Sequence, residues 1–349
     1  MKLYLHIGIE KTGSSYLQSL AAINRDLLKE QGIWFPKAGK REFQLQQGLI
    51  SAGNAQPLTD AMEVDEYEKI SQILQRHLAE ARTRQCQSVL LSNELLMLAL
   101  SREGNLSTFQ RIVQAAGYAQ AHYLLILRDP VDQALSLYKH RAKGGTAPDI
   151  EEWPKVHYHY GIGLKSFLQE ARKIPLPLTI RKYRKQGLEE LFFNDWLGFS
   201  KSLDKPKQVI NPSLSLSELS LIRQLRQHDA WLPRFLYNRL LTLPKAQKDP
   251  ELKLTRYYMD ILYRHLSQYK STWELCNQYL VEDEQLDIPT SDAYELQSVE
   301  KTLTFSTVQG QLIADFIKEA ASPAFQWKMQ YRKCRNELGR LKNRLLTKN

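Results

Sequence analysis

The sequence is poor in cysteine and has no long apolar run, and each absence excludes a class of protein. The three cysteines, Cys86, Cys276 and Cys334, are widely separated and lack the spacing of a metal site or a disulfide framework. They favour a reducing compartment. Since there is also no apolar run of membrane-spanning length and no signal-peptide core at the start, we expect a cytoplasmic protein.

No acidic segment offsets the basic residues. The chain has 48 Lys and Arg against 38 Asp and Glu, a formal charge of +10. This charge suits an anionic ligand or surface but does not choose among them. The hydrophobic content of 43% over 349 residues is enough for a real core, in one large or two modest domains.

Short apolar segments alternate with helical patterns over the first 200 residues. Strands are predicted at 2–7, 32–35, 88–92, 123–127 and 178–183, and helices at 14–28, 66–85, 132–143 and 167–173, with a loop followed by a helix in 101–117. This alternation predicts an α/β fold with a doubly wound parallel sheet of about five strands flanked by helices. Ligands of such sheets bind at the carboxyl ends of the strands, and the candidate residues named below follow strands.

The turn between the first strand and the first helix, Gly8 to Ser15, has the composition of a phosphate-binding loop. The first N–H groups of a helix point outward, the helix dipole adds positive potential, and Lys11 supplies a full charge. The order is not G-x-x-x-x-G-K-[ST], because Lys11 precedes Gly13 and Ser14 stands where the Lys would be. An ordinary turn with a surface Lys and capping serines is the alternative.

A second candidate site follows the fourth predicted strand. Arg128 comes directly after that strand, Pro130 suits a helix start, and Ser136 lies two turns into the next helix. A guanidinium and a hydroxyl in this arrangement can grip one phosphate from two directions. The alternative is that Arg128 pairs with Asp129 or Asp132 and that Ser136 is an ordinary helix residue.

Taken together, the segment His6 to Gln18 and the pair Arg128 and Ser136 resemble the two nucleotide motifs of sulfotransferases that use 3′-phosphoadenosine 5′-phosphosulfate (PAPS). Trp34-Phe35-Pro36 and Arg181-Lys182-Tyr183 are similar to a bacterial carbohydrate or glycolipid branch of that superfamily. The resemblance covers about residues 1 to 200. It implies a P-loop-like fold, a PAPS donor, no metal, no nucleic-acid partner, and sulfuryl transfer to a carbohydrate or glycolipid hydroxyl.

The resemblance also implies the roles of individual residues. Lys11 would be catalytic, neutralising charge on the bridging oxygen, and Tyr183 would belong to the nucleotide site. The 5′-phosphosulfate would be held by Lys11, Thr12, Gly13, Ser14 and Ser15, and the 3′-phosphate by Arg128 and Ser136.

Two carboxylates are candidates for the base that activates the acceptor hydroxyl. Glu94 follows the third predicted strand, where the sulfotransferases that this chain resembles carry a catalytic Glu; the alternative is a helix start capped by Asn93. Glu10 stands where relatives often have His or Pro. His159 is a weaker candidate. Gln44-Leu45-Gln46-Gln47 replaces a His that relatives often carry, which leaves the acceptor undefined.

Beyond residue 200 the pattern is mainly helical, with helices predicted at 217–243 and 257–279. We expect three parts: a PAPS-binding core at 1–200, a helical extension at 201–322 that packs on the core and could shape the acceptor site, and a basic amphipathic helix at 323–349. A small-molecule kinase or a non-catalytic nucleotide-binding module of the same fold is the alternative function.

The last helix carries apolar residues at spacings of four and three, typical of a short heptad seam. The members of this heptad seam are Trp327, Tyr331, Cys334, Leu338, Leu341 and Leu345. Basic residues surround it over 327–348. Packing on its own domain, pairing in a homodimer, and peripheral contact with an anionic glycan or with the inner face of a membrane all remain open.

Overall fold

The computed structural model describes residues 1–39, 42–47, 52–206, 214–290 and 301–346, with the backbone alone at 336 and 339–346. Within these residues the fold is α/β, with a five-stranded sheet in which all neighbouring strands are parallel. The strands are β1 (Lys2–Gly8), β2 (Ile33–Trp34), β3 (Ser88–Ser92), β4 (Gln120–Leu127) and β5 (Leu178–Lys182). The predicted parallel sheet of about five strands, flanked by helices, is therefore confirmed.

Helices connect and follow the strands. They are α1 (Ser14–Ile23), α2 (Arg25–Glu30), α3 (Glu42–Gln46), α4 (Gln56–Glu63), α5 (Tyr67–Thr83), α6 (Leu96–Leu100), α7 (Asn105–Ala115), α8 (Pro130–Arg141), α9 (Trp153–His157), α10 (Tyr160–Ala171), α11 (Leu216–His228), α12 (Leu232–Thr242), α13 (Leu252–Leu266), α14 (Lys270–Asn277), α15 (Thr307–Ala320) and α16 (Pro323–Leu346). A π-helical segment, Glu190–Trp196, follows β5.

The strand order is β2-β3-β1-β4-β5, so β1 lies at the centre of the sheet and pairs with β3 and β4. Helices α5, α6 and α7 contact one side of this arrangement, while α1 and residues 188–199 form a core on the other. Since both faces are covered, β3 is buried along its whole length. The carboxyl ends of β1, β3 and β4 meet at one edge, which is where the site is built.

Three long helices predicted from the pattern are interrupted. The segment 14–28 breaks at Asn24, whose amide donates to the carbonyls of Leu20 and Asp204. The segment 217–243 breaks where Asp229 Oδ1 accepts the N–H groups of Trp231 and Leu232, at 2.6 and 2.9 Å. Side chains that bond to the backbone in this way offer it an alternative to the helix.

The third interruption falls in the predicted helix 257–279. The structure begins this helix earlier, at Leu252, and divides it by a 3₁₀ turn, Ser267–Tyr269. No helix in the described part of the chain combines the length and the apolar character needed to cross a membrane.

The chain divides into two compact units, each drawn from several segments. The core unit comprises Met1–Leu137, Glu151–Pro212 and Asp260–Glu295 and contains the whole sheet. The helical unit comprises Tyr138–Ile150, Ser213–Met259 and Leu296–Asn349. The sequence predicted contiguous parts with boundaries at residues 200 and 322. Each unit in the structure instead combines segments from several places along the chain.

Candidate functional site

The turn after β1 has a backbone that few residue types can adopt. Lys11 has φ +68° and Gly13 has φ +85°, both in the left-handed region. A Cβ on Gly13 would lie 2.5 Å from Leu188 Cδ2, and one on Gly8 would lie 2.5 Å from the carbonyl oxygen of Glu94. The two glycines therefore let the turn pass close to its neighbours, and a lysine in a left-handed conformation marks a strained position of the kind found at binding sites.

The N-terminus of α1 lacks a side-chain cap within the described residues. The 10-residue helix has Gly13 at its N-cap, and among the described residues no side chain caps it and no acidic residue occupies its first turn. The hydroxyl of Ser14 is buried, with the residue 5% exposed, and finds no hydrogen-bond partner in the described part of the chain. Uncapped N–H groups and an unsatisfied hydroxyl at one helix end favour an anionic ligand there.

Thr12 differs from its neighbours in the turn. Its side chain is fully buried, and its hydroxyl donates to the carbonyl of Ile9 at 2.6 Å. The side chain therefore stabilises the turn from inside rather than lining its surface. Only the backbone of Thr12 is left to take part in the predicted phosphosulfate contacts.

Arg128, at the end of β4, reaches the turn after β1. Its Nη1 lies 3.5 Å from the carbonyl oxygen of Lys11, and its guanidinium carbon is 5.5 Å from the centre of the Tyr183 ring. The ion pair considered as an alternative is long, with 3.9 Å between Arg128 Nη2 and Asp132 Oδ2. Asp129 instead binds Lys182 Nζ at 2.8 Å. Arg128 thus joins the two predicted nucleotide motifs.

One cleft of about 810 Å³ in the core unit collects the predicted residues. Of the residues predicted for the site, those that line it are Glu10, Lys11, Gly13, Ser14, Ser15, Glu94, Arg128, Ser136 and Tyr183. Its volume is in the range of small-molecule sites. The turn after β1, Arg128 after β4 and Ser136 in α8 therefore line one cleft, as predicted from the sequence.

Glu94 is held by a buried chain of polar groups. Gln18 Nε2 donates to Glu94 Oε2 at 3.2 Å and to Ser92 Oγ at 3.1 Å, and Ser92 Oγ shares a hydrogen bond of 2.8 Å with His6 Nδ1. Burial is the main reason that the pKa of Glu94 is raised, and the nearby charge of Glu10 raises it further while that of Lys11 lowers it. A carboxyl with a raised pKa in a cleft is suited to exchange a proton.

The alternative for Glu94 was a place at the start of a helix capped by Asn93, and the structure agrees with it only in part. Asn93 Oδ1 accepts the N–H of Leu95 at 2.7 Å, but the helix that follows, α6, begins at Leu96 with Leu95 at its N-cap. The amide of Asn93 donates to the carbonyl of Ala52 at 2.7 Å. Asn93 therefore organises the loop that presents Glu94 to the cleft.

Glu10 is more enclosed than Glu94. It is 9% exposed, and its Oε2 accepts the hydroxyl of Tyr160 at 2.8 Å. Burial and the Glu10 carboxylate raise the pKa of Tyr160 well above its ordinary value. The backbone carbonyl of Glu10 also accepts from Gln133 Nε2 at 3.3 Å. The first contact orients the carboxylate of Glu10, and the second holds its backbone against α8.

One wall of the cleft was not predicted from the sequence. That wall follows β5 and consists of Lys185, Gly187, Leu188, Glu189, Glu190, Lys205 and Pro206. Glu189 accepts the hydroxyl of Tyr16 and lies 3.3 Å from Lys205 Nζ. The only available sequence signal was the basic, glycine-containing segment directly after the fifth predicted strand.

Other residues singled out earlier lie elsewhere. His159 is exposed at the N-cap of α10, and Arg181 makes a bidentate pair with Glu284, with 2.9 Å from Nε to Oε2 and from Nη2 to Oε1. In 44–47, Leu45 is buried and the glutamines are exposed. None of these residues is among those lining the cleft. Within the described ranges, no group of three or more His, Cys, Asp and Glu side chains is arranged to hold a metal ion.

No protein-family model, no curated protein and no solved structure matches this chain.

Proposed function

We propose that the protein is a sulfotransferase that moves the sulfuryl group of PAPS to a hydroxyl of a carbohydrate or glycolipid. The observation that carries this proposal is the convergence of Lys11, the unsatisfied Ser14 hydroxyl and Arg128 on one cleft. A turn after β1 and the strand order β2-β3-β1-β4-β5 support the finer description of the fold as P-loop-like. The acceptor class and a cytoplasmic location come from the sequence resemblance and composition alone.

The residues fit a nucleotide with two separate anionic ends. The open N-terminus of α1, Ser14 and Lys11 would hold the 5′ end, and Arg128 with Ser136 would hold the 3′-phosphate. The absence of a side chain at Gly13 leaves backbone N–H groups accessible to oxygen atoms. Tyr183, whose ring lies beside Arg128, would complete the nucleotide end of the cleft.

When bound, the nucleotide supplies an activated sulfuryl group and a good leaving phosphate. Lys11 would then balance the negative charge that develops on the bridging oxygen as the S–O bond breaks. The acceptor oxygen must approach opposite that bond, so the protein acts by positioning and electrostatic stabilisation. Losing such a donor typically costs roughly 10²–10³ in rate.

Glu94 is the favoured base. Its raised pKa, its position in the cleft and its support by Gln18 suit it to accept the proton of the acceptor hydroxyl. Glu10 is the second candidate, and its hydrogen bond with Tyr160 makes a positioning role more natural for it.

The test combines binding with turnover. Purified protein is heated with 3′,5′-adenosine bisphosphate, with ATP plus Mg²⁺, or without ligand, and is then assayed with labelled PAPS and a panel of sugars and glycolipids. We expect stabilisation by the bisphosphate and transfer of label to a hydroxyl acceptor. Stabilisation by Mg²⁺-ATP alone would support the kinase alternative, and binding of the bisphosphate without transfer to any acceptor would support a non-catalytic binder.

Lys11→Ala separates the catalytic role of this lysine from simple binding. We expect kcat to fall by roughly 10²-fold or more, while affinity for 3′,5′-adenosine bisphosphate changes much less. Equal losses in both quantities would contradict the assigned role. Lys185→Ala, at another lysine that lines the same cleft, is the matched control and should keep most of the turnover.

A further inference from the structure

The heptad seam of α16 is exposed along its described length. Trp327 is 74%, Tyr331 58% and Leu338 66% exposed, and Cys334 between them is exposed as well. The rings of Trp327 and Tyr331 stack on each other, with 6.1 Å between centroids and 14° between planes. An ordered row of large apolar side chains facing solvent is unusual for a helix in a folded unit and indicates a contact surface.

The same helix is already anchored to the helical unit by a different face. Phe325 and Met329 are each 5% exposed, and the Phe325 ring lies 5.3 Å from the Phe235 ring and 6.1 Å from the Phe316 ring. This anchoring face lies roughly opposite the seam on the helical wheel. Packing on its own unit therefore uses other residues and leaves the seam turned outward.

The spacing of the seam matches a second helix better than a flat surface. From Trp327 to Leu345 the apolar positions alternate strictly by four and three, a period of 3.5 residues. That period keeps one edge of a helix facing a partner helix along a left-handed supercoil, with Trp327, Cys334 and Leu341 at d and Tyr331, Leu338 and Leu345 at a. Phe325 and Met329 then occupy positions b and f, away from the partner.

The charges beside the seam distinguish the two directions of pairing. The e positions are Lys328, Arg335 and Lys342, and the g positions include Gln330 and Glu337. In a parallel pair each g residue faces the following e residue of the partner, which sets Gln330 opposite Arg335 and Glu337 opposite Lys342. An antiparallel pair would instead bring the three basic e positions against one another. The pattern is free of like-charge contacts only in the parallel arrangement.

We propose that α16 mediates parallel homodimerisation, by pairing its heptad seam with the same seam of a second copy of this chain. The proposal is independent of the reaction catalysed in the cleft. About three heptads are available, so we expect a dimer that dissociates on dilution.

Cys334 provides a direct test of direction. A parallel pair in register puts the two Cys334 side chains opposite each other at d, whereas Cys86 and Cys276 are buried. Mild oxidation of the full chain should give a covalent dimer of twice 40.6 kDa that reductant reverses. Cys334→Ser should abolish the cross-link but leave the dimer in sedimentation experiments without oxidant. A dimer that never cross-links would overturn the parallel arrangement.

A charge exchange tests the register. Glu337→Lys and Lys342→Glu should each weaken the dimer, by roughly tenfold in dissociation constant, because each variant puts like charges together at two symmetric contacts. The double variant should recover most of the affinity. Additive weakening in the double variant would overturn the proposed register.

A last pair of variants tests the surface itself. The double variant Tyr331→Glu and Leu338→Glu should be monomeric and remain folded, since both side chains are exposed. Ile317→Glu, which removes an equally exposed apolar residue of α15, should dimerise normally. Wild-type protein that stays monomeric at 100 µM, or that binds anionic phosphatidylserine vesicles through Tyr331 and Leu338 without dimerising, would refute the proposal.

Discussion

His6 should make the core unit sensitive to mild acid. Its side chain is fully buried in β1, and burial lowers its pKa from 6.5 to about 3. The folded protein therefore holds His6 neutral, while the unfolded chain takes up a proton near pH 6.5. Stability contributed by neutral His6 is present above pH 6.5 and is lost as the pH falls toward 3.

The size of the effect follows from the difference between the pKa of His6 in the unfolded chain and in the folded protein. Each pH unit in this window costs about 1.4 kcal/mol per titrating group, so roughly 1.5 units between pH 6.5 and 5 cost about 2 kcal/mol. Other groups titrate over the same range, which is why a single curve is not enough. The informative quantity is the difference in slope between the wild type and His6→Phe, a ring of similar size that cannot take up a proton.

Urea denaturation from pH 7.5 to 5 measures this difference. We expect wild-type unfolding free energy to fall by about 2 kcal/mol more than that of His6→Phe. The absolute stabilities will also differ, because the variant loses the hydrogen bond to Ser92. His157→Phe, at an exposed position, should follow the wild-type slope. Parallel slopes for wild type and His6→Phe would refute the assignment of His6 as a buried neutral group.

Three further substitutions address the cleft. Arg128→Lys should weaken binding of 3′,5′-adenosine bisphosphate by roughly tenfold or more in calorimetry, because lysine lacks the planar fork that fits a phosphate. Binding of adenosine 5′-monophosphate, which has no 3′-phosphate, should change little. Equal losses for both ligands would argue against a 3′-phosphate contact. Gly8→Ala should cost more than about 2 kcal/mol in unfolding free energy, because its Cβ would meet the Glu94 carbonyl at 2.5 Å, whereas Gly39→Ala, with nothing within 4 Å, should cost only about 1. Glu94→Gln should lower turnover roughly 10²–10⁴-fold without loss of thermal stability, because burial already disfavours its charged form; full activity would remove Glu94 as the base.

The sheet and the positions of the two predicted motifs at its edge were predictable because they depend on local patterns. Each strand is a short apolar run beside polar or turn residues, and parallel crossovers bring the strand ends to one edge. The positions of Lys11 and Arg128 follow from that rule once their strands are assigned. Thr12 shows the limit of this rule: it lies in the same turn as Lys11, but its hydroxyl points inward and donates to the carbonyl of Ile9.

The wall of the cleft that was not predicted depends on contacts between residues distant in sequence. Leu188 packs at Gly13, and Tyr160 binds the carboxylate of Glu10 from 150 positions away. Neither contact leaves a local periodicity, since each is decided by how the segments after α9 and β5 fold back over the sheet edge. His159 was predicted as a weaker candidate for the base, yet its neighbour Tyr160 is the side chain that donates a hydrogen bond to Glu10.

The cleft is not a simple positive pocket, although the chain carries a formal charge of +10. Its lining contains four cations, Lys11, Arg128, Lys185 and Lys205, and four carboxylates, Glu10, Glu94, Glu189 and Glu190. Net charge therefore cannot be what selects an anion here. Directed donors must do so: the open end of α1, the Ser14 hydroxyl and the guanidinium.

The carboxylates restrict how an anionic nucleotide could lie. Glu94 and Glu10 are near enough for each charge to influence the other, and bringing a phosphate against them would add repulsion to that pair. The anionic groups must therefore face Lys11, Ser14 and Arg128, which leaves the carboxylates for a neutral molecule with hydroxyl groups. A cleft whose lining combines donors for an anion with proton-accepting carboxylates has the groups that the proposed transfer to a hydroxyl would need, whereas binding of a polyanion alone would gain nothing from the carboxylates.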